Sequence, residues 1–342
     1  MRRSVDKIEC VDNPDGAGAI PHAAGVTPLS PGEFARHGAD AHLRLLRDGA
    51  VAACCSLWWQ HTPYLPDHVV GVIGHYGAVE PEAGAKLLDR ACTELAARGC
   101  TIAVGPMDGS TWRRYRVLTD RGTEPPFFLE PDNPPDWPAH FHTAGFTELA
   151  RYFSALCNDL AYADPRLDRV EPRMERAGIR IDAINPARFE DELAAIHRLS
   201  LVSFRDNLLY SPISKAEFIE QYRPILPLLR HELVLLAEQQ GRLTGFLFAV
   251  PDLLQAKRGQ LIDTIVVKTV AVLPGREYAG LGNLLVARCH KIAAGLGFRR
   301  AIHALMHESN ESRSLSAHYG HPFRGYTLYS RNLERGRERV NT

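Results

Sequence analysis

The residues best placed to do chemistry are a pair of glycines, Gly280 and Gly282, and the polar groups spaced around them. An apolar run ends at Val270-Ala271-Val272, Pro274 follows two residues later, and the glycine pair then opens an amphipathic stretch that closes at Gly297. That order is a strand, a glycine loop and a helix N-terminus. Amides in the first helical turn have no intrahelical partner and sit at the positive end of the helix dipole, so glycines there let a phosphate approach the backbone. The pattern therefore points to a ligand with a diphosphate. A P-loop needs Lys-Ser/Thr after its last glycine, and a dinucleotide turn needs Gly-x-Gly-x-x-Gly after the first strand of its unit. Here Asn283-Leu284 follows the glycines, late in the chain, and neither loop fits.

The segment resembles the acetyl-CoA loop of the Gcn5-related N-acetyltransferase (GNAT) superfamily, in which an apolar strand end and a proline lead into Gln/Arg-x-x-Gly-x-Gly/Ala. The matching positions are Glu277-Tyr278-Ala279-Gly280-Leu281-Gly282. The resemblance implies acetyl-CoA as cosubstrate, held by Val270, Ala271 and Val272, by Arg276 to Asn283 (Arg276, Glu277, Tyr278, Ala279, Gly280, Leu281, Gly282, Asn283), and by Asn310. Glu277 departs from the family's Gln/Arg. A carboxylate repels a diphosphate unless it turns away, so Arg276 is the expected phosphate partner. Downstream, a β-like run from Ala301 to Met306, then Asn310 with a short polar helix, then the alternating run from Phe323 to Tyr329 continue the family's order. The likeness covers Gly178 to Leu333. Seven residues after Asn310, where many members carry a Tyr that protonates the leaving thiolate, stands Ala317, with His318 and Tyr319 just beyond.

The chemistry this implies is transfer of an acetyl group from a thioester to a primary amine. An amine with a pKa of about 10 is protonated near neutrality, so a base must take its proton, and the carbonyl oxyanion must be stabilised. The expected bases are Asp263, at the start of the apolar strand, and His307 or Glu308, at the end of the next. Tyr319 is the expected acid, although two residues turn a helical side chain by roughly 200°. Lys268, in the middle of an apolar strand, lines the acceptor cleft or reaches water from an edge. Cys289 lies well inside the helix, which favours direct transfer in a ternary complex over an acetyl-enzyme. The alternative function is a non-catalytic acyl-CoA-binding sensor or scaffold.

The elements around the loop occur twice. Leu233 to Ala237, a turn at Gly241 and Leu243 to Val250 form a hairpin pattern; Ala41 to Leu46, a turn at Asp48-Gly49 and Val51 to Trp59 repeat it. Val72 to Pro81 parallels the strand ending in Val272-Leu273-Pro274, and Leu87 to Gly99 parallels Leu284 to Gly297. The expected architecture is α/β, two tandem GNAT-like domains, each a mixed central sheet flanked by helices. The boundaries are 1–158, a linker at 159–177, and 178–342. The copies differ at the phosphate loop: five residues separate Pro81 from Leu87, whereas nine separate Pro274 from Leu284, and Glu80 and Glu82 flank the shorter loop. The first copy is expected to bind no CoA and to shape the acceptor site. Trp112-Arg113-Arg114-Tyr115-Arg116 is either part of that site or a loop pinned by its aromatics.

Composition bounds the rest. The 342 residues are 45% hydrophobic, enough for two cores. Lys plus Arg equals Asp plus Glu at 40 each, which gives no footprint for nucleic acid or an anionic membrane. Seven cysteines without metal-ligand spacing read as free thiols in a reducing compartment, and no metal site is expected. With no apolar leader or span, the expectation is a soluble, cytoplasmic protein acting on a small-molecule or peptide amine, its oligomeric state open.

Overall fold

The computed structural model describes residues 6–12, 20–162, 164–309 and 319–333. The first half of the chain supplies β1 (Lys7–Val11), α1 (Pro31–His37), β2 (Ala41–Arg47), β3 (Ala50–Trp58), β4 (Val70–Ala78), α2 (Pro81–Ala97), β5 (Ile102–Gly105), β6 (Val117–Asp120), α3 (Trp137–Thr143) and β7 (Thr147–Cys157). The second supplies α4 (Leu167–Arg176), β8 (Ile179–Ala183), α5 (Phe189–Ser203), α6 (Lys215–Tyr222), β9 (Val234–Gln239), β10 (Arg242–Pro251), α7 (Leu253–Lys257), β11 (Thr264–Val272), α8 (Leu281–Gly295), β12 (Arg300–His307) and β13 (His321–Asn332).

Both hairpins form where the repeat places them, and they turn alike. Asp48-Gly49 and Gln240-Gly241 each hold two successive residues at positive φ, the requirement of the tight turn whose twist matches its strands. Asn185 caps a single 3-10 turn at Pro186–Arg188, its side chain accepting from Ala187 N–H, and α5 continues from it with Leu193, Ile196 and Leu199 buried. The segment 159–177, expected as a linker, carries a helix. It contains α4, which forms despite Pro172 because Leu167, Val170 and Met174 recur at helical spacing and pack on the core beneath α8.

The strands form one mixed sheet, ordered β1-β2-β3-β4-β5-β13-β7-β12-β11-β10-β9-β8, with β6 beside β13. The order is mirrored about the β13/β7 pair. In each half an antiparallel series ends in a parallel pair, β4 with β5 and β11 with β12. The last strand of each half then crosses over: β7 pairs with β12, β13 pairs with β5, and the two pair with each other. The repeat is therefore two copies of one unit joined by exchanged strands. Helices cover both faces. α2 and α3 pack on the core of the first half, α8 on one face of the second, and α5 with α6 on its other face.

Candidate active site at the β11/β12 fork

β11 and β12 run parallel and paired only from Thr264/Arg300 to Val267/His303, while β11 continues to Val272 and β12 to His307. The fork opens for two local reasons. Against β10, Phe248 faces Thr269 and Ala249 faces Val267, so Lys268 is an extra residue, and this bulge bends β11. Against β7, His303 faces Ala155 and Met306 faces Phe153, with Leu305 at φ 64°, so β12 bends at the same level. The Leu305 amide donates to Ser154 Oγ at 3.2 Å, and its carbonyl accepts from Arg116 at 3.1 Å. Lys268, Thr269 and Val270 stay partly open along the β11 arm.

Beyond that arm comes the glycine loop. Gly280 caps α8 at φ 85°, and no acceptor among the described residues meets the amides of Leu281, Gly282 and Asn283. Arg276 is exposed and forms no ion pair among the described residues. Glu277 folds its carboxylate back over Gly275, where a Cβ would lie 2.6 Å from it. The Tyr278 hydroxyl donates to Gln239 at 3.2 Å, and the Val272 carbonyl accepts from Ser203 Oγ at 3.0 Å. Ala271 is buried and Ala279 exposed, its carbonyl taken by Arg173 of α4. α4 also sets the glycine: a Cβ on Gly280 would meet Val170 at 2.8 Å. Free amides, an outward arginine and a withdrawn carboxylate suit a diphosphate. Asn310, Ala317 and His318 lie outside the described residues.

The expected bases do not meet at the fork. Asp263 sits at the start of β11, four residues before the apex and so roughly 13 Å away, on the closed side of the ladder. It lines a separate pocket of about 440 Å³ with Arg258, Arg299 and Arg300. Burial would raise its pKa, but hydrogen bonds from Gln255 and Thr264, with the arginines nearby, hold it below the usual carboxylate range. That is a poor base. Glu308 is exposed, five residues past the apex, roughly 15 Å along the other arm. His307 is packed edge-on against Tyr152, its Nδ1 2.8 Å from Ser309 Oγ.

Two other groups lie on opposite faces of the sheet near the fork. On the α8 face, the ring of Tyr319 packs on His303, the last paired residue of β12, and on His290 of α8. Its hydroxyl is buried without a partner among the described residues, and burial pushes the phenol up to about 12. The two histidines share a hydrogen bond of 3.0 Å, and burial keeps both neutral. On the other face, Lys268 Nζ donates to the carbonyl of Leu129 at 3.1 Å. Glu130 beside it accepts from Arg324 at 2.9 Å and from Tyr326 at 2.7 Å. Sequence reasoning singled out Lys268 as an oddity in an apolar strand; the bulge that gives it a role is a pairing property.

The equivalent fork in the first half is filled by its own chain. The β4/β5 ladder stops at Val72/Val104, and β4 bulges at His75, φ 43°, as β11 does at Lys268. Met107 N–H then donates to the Ile73 carbonyl at 2.8 Å and Asp108 accepts from His75 N–H at 2.6 Å. A Cβ on Gly74 would lie 2.0 Å from the Met107 carbonyl. No glycine loop precedes α2, which starts at Pro81 with Glu80 paired to Arg47.

The Trp112 to Arg116 segment ties the halves together. Trp112 lies among Phe204, Tyr210 and Phe218 with its indole N–H on the Ser211 carbonyl at 2.7 Å. Arg113 pairs with Glu217 of α6. The Arg116 guanidinium lies between the rings of Tyr115 and Tyr152, at 3.8 and 3.9 Å. No described helix is long and apolar enough to cross a membrane, and no disulfide links the cysteines.

No family model matches the sequence, and no curated protein matches it. Among solved structures, the chain is similar to a GCN5-related N-acetyltransferase from Sphaerobacter thermophilus, with TM-score 0.50 and 13% identity over 96% of each chain. It is similar to another from Anabaena variabilis, with TM-score 0.50, 10% identity, 96% of this chain and 73% of that one. It is also similar to a fungal multi-domain GH3 beta-N-acetylglucosaminidase described as having a GCN5-related glucosamine N-acetyltransferase region. There the TM-score is 0.55 and the identity 15% over 97% of this chain, which spans 38% of the fungal one.

Proposed function

Starting from the fold of the GCN5-related N-acetyltransferases, which this chain has in tandem form, we propose that it transfers an acetyl group from acetyl-CoA to a primary amine. The observation that carries the reading is the contrast between two equivalent forks. The one at Val267/His303 leads to a glycine loop with free amides, and the one at Val72/Val104 is plugged by Met107 and Asp108. One cosubstrate then binds per chain, with its diphosphate at the amides of Leu281, Gly282 and Asn283 beside Arg276.

Backbone amides of the β11 arm that face away from β10, beyond the last ladder pair, would serve the carbonyl oxyanion, since a fixed donor costs no reorganisation as charge develops. The C–N bond forms as the amine attacks the carbonyl carbon, and the C–S bond breaks. Tyr319, protonated throughout the neutral range, is the acid that supplies a proton to the leaving thiolate. Cys289 is fully buried, and burial pushes its thiol up to about 12, which supports attack by the amine itself rather than by a protein thiolate. Asp263 and Glu308 lie too far from the apex for the base.

Calorimetric titration with acetyl-CoA tests the binding, and release of free thiol in the presence of an amine panel tests the transfer. Absence of heat with acetyl-CoA would overturn the reading. Binding without transfer to any amine would instead favour the sensor.

A further inference from the structure

We propose that Lys268 is the general base of the transfer, an inference that rests on the function above and assigns the group that function leaves open. Three geometric facts support it. Lys268 is the unpaired residue of the β11 bulge, directly after the last ladder pair, Val267/His303. Its side chain leaves β11 on the face covered by α5 and by the 124–133 segment, opposite the face on which Tyr319 packs. Base and acid would thus approach the fork from opposite faces of the sheet.

The third fact is the lack of a counter-ion among the described residues. Among these the ammonium has one acceptor, the Leu129 carbonyl, which is uncharged. The nearby carboxylate, Glu130, is committed: Oε1 takes Arg324 and Tyr326, and Oε2 takes the Phe127 amide at 3.2 Å. On the other side stands the guanidinium of Arg116, held between Tyr115 and Tyr152 and hydrogen-bonded to β12. Burial, and then Arg116, push the Lys268 pKa down to about 7 against the weaker pull of Glu130. The neutral amine, the state a base needs, is then within reach near neutral pH.

In the proposed step the acceptor arrives as the free amine. As its nitrogen bonds to the carbonyl carbon, its proton passes to Lys268 Nζ. The C–S bond breaks, the thiolate takes a proton from Tyr319, and Lys268 and Tyr319 exchange the proton back through solvent. No other reactant is consumed.

The test has two arms. The first needs no acceptor: trace acetylation of the intact protein with acetic anhydride across pH, read by peptide mass spectrometry, compares Lys268 with Lys7, Lys86, Lys215, Lys257 and Lys291. Lys268 is expected to titrate near 7. Titration of Lys268 near 10 overturns the proposal whatever the acceptor. The second arm uses acetyl-CoA with spermidine, phenethylamine, glucosamine and lysine as amine probes. Lys268→Ala and Lys268→Arg should both lower kcat about 10²-fold or more and remove the inflection near pH 7, with the acetyl-CoA Kd unchanged. Arg keeps the charge and the contact to Leu129 but cannot lose its proton, so loss in both variants separates a base from a positioning cation. An unaltered pH profile in Lys268→Ala, or an acetyl group trapped on Lys268, overturns the base role while leaving the function standing. If wild type binds no acetyl-CoA, the function falls first.

Discussion

Lys268 Nζ donates to the carbonyl oxygen of Leu129 at 3.1 Å, so the bulge of β11 is joined to a segment from the other half of the chain. That bond holds a cation without a counter-ion among the described residues, which has a consequence for stability. The native pKa, about 7, lies below the value of about 10.4 for an unfolded lysine, so between these values the unfolded state binds more protons. Stability should therefore rise with pH across that window, by up to roughly 1.4 kcal/mol per pH unit from this group. Below pH 7 the cost of the buried ammonium is fully present. Lys268→Met is expected to flatten the dependence, and urea unfolding of both proteins at pH 6, 8 and 10 measures it. Parallel curves would refute the assignment.

The glycine loop is tested at Gly280. Gly280→Asp adds bulk and charge at the α8 N-terminus and should abolish acetyl-CoA binding in calorimetry. Because a Cβ there meets Val170 at 2.8 Å and φ is 85°, the variant also strains the α4 contact. Gly280→Ala should cost about 1–3 kcal/mol, and Val170→Ala should recover part of it in the double variant, since only the clash is relieved. Wild-type affinity in Gly280→Asp would remove the site.

The plugged fork predicts stoichiometry. One acetyl-CoA per chain is expected, because Met107 and Asp108 occupy the backbone positions of Ile73 and His75 that a second ligand would need. Two sites in the titration would show that the plug opens.

The exchanged strands predict that neither half stands alone. Residues 178–342 by themselves lose β7 from beside β12, and their own β13 loses β5, β6 and β7. Two unpaired strand edges make the fragment prone to aggregate. It should lack cooperative unfolding by circular dichroism and recover it when residues 1–177 are co-expressed. A well-folded, active fragment would contradict this.

Trp112 is expected to act through packing. Trp112→Ala removes an indole set among three aromatic rings and should cost about 3–5 kcal/mol of stability, seen as a lower Tm. It should also raise the acceptor KM, because α5 and α6, which it anchors, cover the face of Lys268. An unchanged Tm with a raised KM would make Trp112 a direct contact instead.

What the sequence determined by itself was local. Alternating and helical periodicities, the Asp48-Gly49 and Gln240-Gly241 turns, and the glycine pair before α8 specify strands, hairpins and a phosphate-ready helix end over short spans, and both copies of the unit were legible that way. The missing residues between Pro81 and Leu87 likewise announced a first half without a phosphate loop. What only the tertiary structure decided depends on partners far along the chain. Strand period says nothing of which neighbour a strand takes, so the exchange of β7 and β13 was invisible. A bulge is a mismatch between two strands, so Lys268 looked like an isolated charge until β10 was set against β11. The segment 159–177 read only as a linker, and it is helical because α8 offers Val170 and Met174 a surface to bury, even with Pro172 inside the helix. Asp263 and Glu308 have the right chemistry, but the point at which a parallel ladder ends is set by hydrogen bonds between distant strands, and it falls between them.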